Sequence, residues 1–111
     1  MKGAHLGEFE ELVVLAVHGL EGDAYGVSIQ QRLEAETTRR VTLGAVYAAL
    51  DRLEAKGLLR SQMAAGTAVR GGRSRRLFRV TAEGLRTLDT LRRIRERLYR
   101  AAGPRFARGG A

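Results

Sequence analysis

The sequence predicts a mainly α-helical fold with a small β-hairpin, arranged as a winged helix-turn-helix plus one C-terminal dimerisation helix. Three helical patterns come first, two short strand patterns separated by a basic loop follow, and a long amphipathic helix ends the order. With 111 residues, of which 44% are hydrophobic, the chain has the length of one domain and can bury a single modest core.

The first two helices follow from the spacing of apolar residues. Between Leu6 and Leu20 these residues recur at intervals of three and four, and acidic residues lie in the first turn, where the helix dipole favours them. The turn at residues 21–23 ends this helix. A second helix is expected from near Ala24 to about Thr37.

The third helix has a start and a stop signal. Thr42 is expected to be the N-cap of a helix from Leu43 to Lys56, and Gly57 has the position of a C′ residue. A helical wheel places one apolar face towards the core. This inward face consists of Val46, Ala49, Leu50 and Leu53.

The outward face of the third helix is small near its start, which permits close approach to the major groove of DNA but offers few bidentate base readers. Thr42 and Tyr47 are the candidates for phosphate or base-edge contacts. Arg52 reaches a guanine or a phosphate, or it pairs with Glu54 or another acidic neighbour; both alternatives stay open, as does a plain packed helix with surface alanines. The outward positions are Gly44, Ala48, Asp51, Arg52 and Ala55, flanked by Ala45 and Tyr47.

A hairpin is expected after the third helix. Its strands are residues 58–63 and Leu77–Val80, and the loop Ala64–Arg76 between them is rich in glycine and arginine. Residues 60–79 contain no acidic side chain, so this wing is suited to phosphates, and binding should weaken steeply with salt. A solvated charge run without a partner is the alternative. The predicted phosphate contacts are Arg70, Arg73, Arg75 and Arg76.

The last helix is expected from Ala82 to about Ala102, capped by Thr81, and its broad apolar face has little of its own domain left to cover. We expect this face to pack against a second copy of the chain, with the first helix completing the interface. The alternative is that the helix folds back on its own core. Two i,i+4 ion pairs are expected, Asp89–Arg93 and Glu96–Arg100. The predicted dimerisation residues are Phe9, Leu12, Leu88, Leu91, Ile94 and Leu98.

The charge is distributed unevenly along the chain. Residues 1–59 carry 6 basic and 9 acidic side chains, a net of −3, whereas residues 60–111 carry 14 basic and 3 acidic ones, a net of +11. The overall net charge of +8 therefore belongs to one part of the fold. This pattern favours a polyanion-binding side over a generally basic surface.

Several function classes are excluded or disfavoured. The chain has no cysteine, which excludes disulfides and thiolate metal sites. Its 2 histidines lie near no nucleophile and at no metal-ligand spacing, so neither an enzyme nor a cofactor is expected. Early glutamates interrupt any signal-peptide core, and no apolar run approaches the roughly 20 residues that span a bilayer. We therefore expect a cytoplasmic protein without membrane contact.

Three spaced segments resemble the PadR family of transcriptional regulators: Tyr25–Gly26, Leu43–Leu58 and Arg75–Gly84. The similarity covers about residues 6–102 and is closest to the short subgroup, which has one helix after the winged domain. It implies a homodimeric repressor whose third helix lies in the major groove and whose wing follows the backbone into the minor groove. The family's wing often ends in an aromatic pair, whereas Leu77 takes the first place here, which we expect to alter packing at the wing base and not DNA binding.

The predicted organisation is a winged-helix DNA-binding domain at residues 6–80, a dimerisation helix at 81–103 and a flexible tail at 104–111. The predicted function is sequence-specific binding of double-stranded DNA by a homodimeric regulator, with half-sites roughly 34 Å apart. The alternative is a non-specific DNA-packaging or RNA- or protein-binding module, which would lack a preference of ~10³ for one site. The resemblance also implies small-molecule effectors at the dimer interface of some short members, and we expect any effector here to be anionic or absent.

Overall fold

The computed structural model describes residues 6–64 and 74–104. The predicted fold class is confirmed: helices and a two-stranded antiparallel hairpin follow one another in the predicted order. The elements are α1 (Glu8–Gly19), α2 (Gly26–Thr37), α3 (Leu43–Ala55), β1 (Leu59–Ala64), β2 (Arg75–Val80) and α4 (Ala82–Ala102).

The helix starts differ from the predicted ones for α1 and α2. α1 begins at Glu8, two residues after the predicted Leu6. α2 begins at Gly26, two residues after the predicted Ala24. The Ala24 carbonyl accepts a hydrogen bond from the Phe78 N–H at 2.8 Å, and this bond ties the segment before α2 to β2. Tyr25 is therefore the extended N-cap of α2.

The predicted start of α3 is confirmed, whereas the helix ends at Ala55, one residue before the predicted Lys56, which is the C-cap. The Thr42 hydroxyl accepts a hydrogen bond from the Ala45 N–H at 3.1 Å. At the other end Gly57 has φ +79°, and its N–H donates to the Glu54 carbonyl while the Leu58 N–H donates to the Leu53 carbonyl, each at 3.0 Å. This pair of bonds is a Schellman motif, and the left-handed backbone explains why glycine stands there.

The hairpin is longer than predicted on its second strand. β1 and β2 pair in a register that joins Leu59 to Val80 at the base and Ala64 to Arg75 at the far end. Arg75 and Arg76 were predicted in the loop, but the structure places both in β2. Both side chains are exposed, so no alternation of apolar and polar residues marks these two positions as part of a strand.

α3 lies at the centre of the core and contacts α1, α2 and β1. Its predicted inward face is confirmed, because Val46, Ala49, Leu50 and Leu53 are all fully buried. By contrast, α4 contributes only Gly84 to the buried residues. A methyl group at Gly84 would overlap the Leu58 carbonyl oxygen, so the start of α4 packs directly on the junction between α3 and β1.

Candidate nucleic-acid interface

The N-terminal half of α3 forms a small, uncharged outer surface. Gly44, Ala45 and Ala48 are exposed, as predicted, and Tyr47 beside them is 44% exposed. Residues 43–50 include no charged side chain. The Thr42 hydroxyl, which accepts the N-cap hydrogen bond, still has a proton to donate. This surface can approach a duplex closely and read it through shape, methyl contacts and two hydroxyl groups.

Tyr47 connects this surface to the start of α2, and Tyr25 connects the start of α2 to the hairpin. Its ring lies so close to Gly26 that a methyl group at that glycine would overlap the ring. The neighbouring Tyr25 ring lies below the Arg75 guanidinium, at 4.3 Å from ring centroid to Cζ, which is a cation–π geometry. The Tyr47–Gly26 contact and the Tyr25–Arg75 contact thereby bring the start of α2, α3 and β2 close together.

Arg76, the other predicted wing arginine among the described residues, lies in β2 near the far end of the hairpin and is held by contacts to α3 and β1. Its Nη2 donates to Glu54 Oε1 at 2.6 Å, its Nε donates to Ser61 Oγ at 3.0 Å, and Asp51 lies 3.9 Å away. The hydrogen bond from the Ser61 hydroxyl and the nearby Arg76 charge lower the pKa of Glu54. These contacts use Arg76 to join β2 to α3.

Arg52 does not pair with Glu54, the acidic neighbour named for it in the sequence analysis. Its Nε donates to Glu10 Oε2 on α1 at 2.7 Å, while Glu54 is bound by Ser61 and Arg76. Lys56 donates to the other oxygen of the same carboxylate at 2.8 Å. Burial alone raises the pKa of Glu10, but the hydrogen bonds from the two cations outweigh it and lower the pKa to about 2.

The remaining predicted wing residues, Arg70 and Arg73, lie outside the described residues. The structure adds two arginines that the sequence interpretation missed. Arg39 and Arg40 are exposed in the turn between α2 and α3, directly before the N-cap of the helix predicted to enter the groove. Their place in the chain, just before Thr42, is a signal that could have found them.

The α2–α3 turn that carries these arginines is rigidly supported. Gln30 Nε2 donates to the Val41 carbonyl at 2.8 Å, and the Val41 N–H donates to Glu34 Oε2 at 2.9 Å. A shallow depression of about 600 Å³ lies beside the turn. Side chains of α2 thus hold both polar backbone groups of Val41, and Arg39 of the same turn lies 3.5 Å from Glu8 of α1.

The predicted dimerisation residues divide into two groups. Phe9, Leu12 and Leu88 are partly buried against the chain's own core. Ile94 and Leu98 are exposed, Leu98 to 65%, and Leu91 is intermediate. The exposed apolar surface also includes Leu85, which belongs to the predicted apolar face of the last helix, and two residues that the sequence interpretation did not assign to the interface, Leu15 and Tyr99.

A groove of about 730 Å³ lies between α1 and α4. Arg95 bridges it with two short contacts to the Glu11 carboxylate, at 2.6 and 2.9 Å. The predicted Asp89–Arg93 pair is formed at 3.0 Å. Glu96, however, pairs with Arg92 one turn before it rather than with Arg100.

Within residues 6–64 and 74–104, no helix is long and apolar enough to cross a membrane. The same described residues contain no cluster of three or more His, Asp or Glu side chains arranged to hold a metal ion. Every buried side-chain nitrogen or oxygen in this part of the chain has a hydrogen-bond partner.

The hairpin beside a capped, exposed third helix defines the class of this molecule as a winged helix-turn-helix protein. The sequence profile of the transcriptional regulator PadR-like family matches residues 14–90. The chain belongs to this family and is a DNA-binding regulator of transcription, not an enzyme.

Individual relatives agree with this assignment. Transcriptional regulator Rv3488 of Mycobacterium tuberculosis is 37% identical over 83 residues, which make up 75% of this chain and 73% of that protein. A PadR family transcriptional regulator from Eggerthella lenta is similar in structure, with a TM-score of 0.68 and 28% identity over 86% of this chain and 78% of the other. A PadR-like transcription factor from Bacteroides fragilis has a TM-score of 0.70 and 26% identity over 85% of each chain.

Proposed function

We propose that this protein is a sequence-specific, homodimeric repressor that binds double-stranded DNA in the cytoplasm. The observation that carries the proposal is the continuity of one surface: the uncharged start of α3, the Tyr47 ring against Gly26, and Arg75 stacked on Tyr25. A small helix face flanked by a fixed guanidinium is suited to a groove bordered by phosphates.

Each part of this surface has a role in the proposal. The start of α3 enters the major groove, where small side chains permit contact with base edges and the hydroxyl groups donate hydrogen bonds. Arg75 and the wing arginines bind phosphates, and a wing arginine in a narrow minor groove also senses groove shape. Arg76 attaches β2 to α3 through Glu54. The proposed DNA contacts are Thr42, Gly44, Ala45, Tyr47, Ala48, Arg70, Arg73 and Arg75, with Arg39 and Arg40 at the turn.

The proposed dimer uses the exposed apolar face of α4. Leu98 is 65% exposed and Leu15 on α1 is 48% exposed, and Ile94 and Tyr99 of α4 are exposed as well. Isologous packing of this face would bury residues that one chain leaves in water. A two-fold axis there would set two copies of α3 about one DNA turn apart, so we expect a pseudo-palindromic operator.

Fluorescence anisotropy on two duplexes tests the proposal. The protein is titrated against the DNA upstream of its own gene and against a scrambled duplex of equal length, in a series of salt concentrations. We expect two chains per site and a preference of ~10³ for one sequence. Equal, salt-dependent binding to both duplexes would instead support the alternative, a DNA-packaging module.

Repression and effector control are tested separately. A reporter under the protein's own promoter should lose activity when the protein is expressed. The arginines beside the α1–α4 groove are both neutralised, Arg92 by Glu96 and Arg95 by Glu11. This pairing supports regulation without an effector over an anionic effector, and calorimetric titration with anionic and neutral planar compounds should give no heat of binding.

A further inference from the structure

All charged side chains in segment 51–56 are bound by other elements of the fold. Asp51 and Glu54 lie on the side of β2, where Arg76 contacts both. Arg52 and Lys56 lie on the side of α1, where both contact Glu10. The second half of the DNA-reading helix is therefore rich in charge, yet these charges are balanced inside the molecule.

Glu10 is built into the boundary between α1 and α3. It is only 7% exposed, and each of its oxygens accepts a charge-assisted hydrogen bond from a different cation, Arg52 at 2.7 Å and Lys56 at 2.8 Å. The Gly7 N–H also donates to the carboxylate, at 3.3 Å. One buried acid thus fixes the direction of two long basic side chains on the neighbouring helix.

Arg52 follows the proposed base-reading surface along α3, and Lys56 is the C-cap of the helix. Ala48 and Arg52 are separated by four residues, so they are neighbours on the helix surface, and Lys56 follows Arg52 at the same spacing. Arg52 lies about 6 Å along the helix axis beyond Ala48. Long basic side chains at these positions can reach the phosphates beside the groove if nothing holds them back.

We propose that Glu10 is a positioning residue that protects sequence specificity by holding Arg52 and Lys56 against α1 and away from DNA phosphates. The proposal rests on the proposed DNA-binding function. Phosphate contacts strengthen binding to every sequence alike, whereas contacts from the start of α3 depend on the bases. By withholding two cations, Glu10 limits the affinity for non-cognate DNA and keeps the ratio between cognate and non-cognate binding high.

The test compares Glu10→Gln with Glu11→Gln. The two glutamates are adjacent, both are 7% exposed, and each substitution raises the net charge by one. Their partners differ, because Glu11 binds Arg95 on α4. This makes Glu11→Gln a matched control for charge, burial and loss of an ion pair, provided that both variants sediment as the wild type does.

We expect Glu10→Gln to bind the scrambled duplex at least several-fold more tightly than Glu11→Gln. The slope of log affinity against log salt should steepen by about 0.9 for each released cation that reaches a phosphate. The ratio of cognate to scrambled affinity should fall. The triple variant E10Q/R52Q/K56Q, which removes the released cations, should return to the wild-type slope. Equal slopes for E10Q and E11Q would overturn the proposal.

A second variant keeps the proposal testable if Glu10→Gln does not fold. In Arg52→Gln the salt slope should stay at the wild-type value, because Arg52 makes no phosphate contact while Glu10 holds it. A fall in slope of about 0.9 would show that Arg52 contacts a phosphate and would overturn the proposal. If the wild type showed no sequence preference, the proposed function would be wrong. The comparison of salt slopes would still show whether Glu10 keeps Arg52 and Lys56 away from phosphates.

Discussion

The two halves of α3 interact with their surroundings in opposite ways. Residues 43–50 carry no charge, bury one face completely and leave the other face open. Residues 51–55 and the C-cap Lys56 carry two acids and two bases, which are held by Arg76 from β2 and by Glu10 from α1. One helix therefore differs along its length: its first half leaves one face exposed to solvent, while the charges after it attach the helix to the neighbouring elements.

The largest expected effect separates the two faces of the first half. Leu50→Ala removes a fully buried side chain and should lower the free energy of unfolding by about 2–5 kcal/mol. Ala48→Leu on the exposed face should change stability by no more than about 0.5 kcal/mol, yet weaken cognate DNA binding roughly tenfold or more, because its bulk keeps α3 out of the groove. Urea unfolding and anisotropy measure the two effects. A stable Leu50→Ala variant would contradict the buried position.

The next effect concerns the contact between α2 and α3. A methyl group at Gly26 would overlap the Tyr47 ring, so Gly26→Ala should displace that ring and cost about 1–3 kcal/mol of stability. DNA affinity should fall as well. The double variant Gly26→Ala with Tyr47→Phe tests whether the hydroxyl is part of the overlap, and Tyr47→Ala should remove the stability penalty of the alanine. If Gly26→Ala costs the same in the presence and absence of the Tyr47 side chain, the ring is not the cause.

A third prediction concerns the attachment of the second half to α1 and its dependence on pH. The folded state lowers the pKa of Glu10 from 4.5 to about 2, so its ionised form stabilises the fold above pH 4.5. This stabilisation should disappear as pH falls from 4.5 towards about 2, because protonation removes the negative charge that attracts Arg52 and Lys56. In Glu10→Gln the corresponding part of the pH dependence should be absent. Urea unfolding of both proteins through this range measures it, and parallel curves would contradict the assignment.

The smallest effect belongs to the attachment on the wing side. Arg76 and Glu54 are partly exposed, so their coupling energy should be at most about 1 kcal/mol. A double-mutant cycle of Arg76→Gln and Glu54→Gln measures this coupling. Glu83 and Arg86, which form a fully surface-located pair on α4, provide the control cycle, for which we expect a smaller value. A coupling energy between Arg76 and Glu54 below that of the control pair would mean that Arg76 is free to bind DNA.

Local patterns in the sequence determined most of the fold. The N-cap at Thr42, the glycine stop at Gly57 and the apolar spacing of α3 act over a few residues, and each was predicted correctly. The confirmed end of α4 and the order of the elements follow from the same short-range rules. Boundaries were wrong where a distant partner intervened: the Ala24 carbonyl binds Phe78 and is therefore unavailable to begin α2.

The candidate site was only partly predictable, because charges are paired by tertiary contacts. The sequence determined which face of α3 is open and that the basic residues follow it. Only the tertiary structure decided that Arg52 binds Glu10, 42 positions away, and that Arg76 of β2 binds Glu54 of α3. Ion pairs depend on which side chains the packed helices bring within about 4 Å, and periodicity along one helix carries no information about the charges on its neighbour.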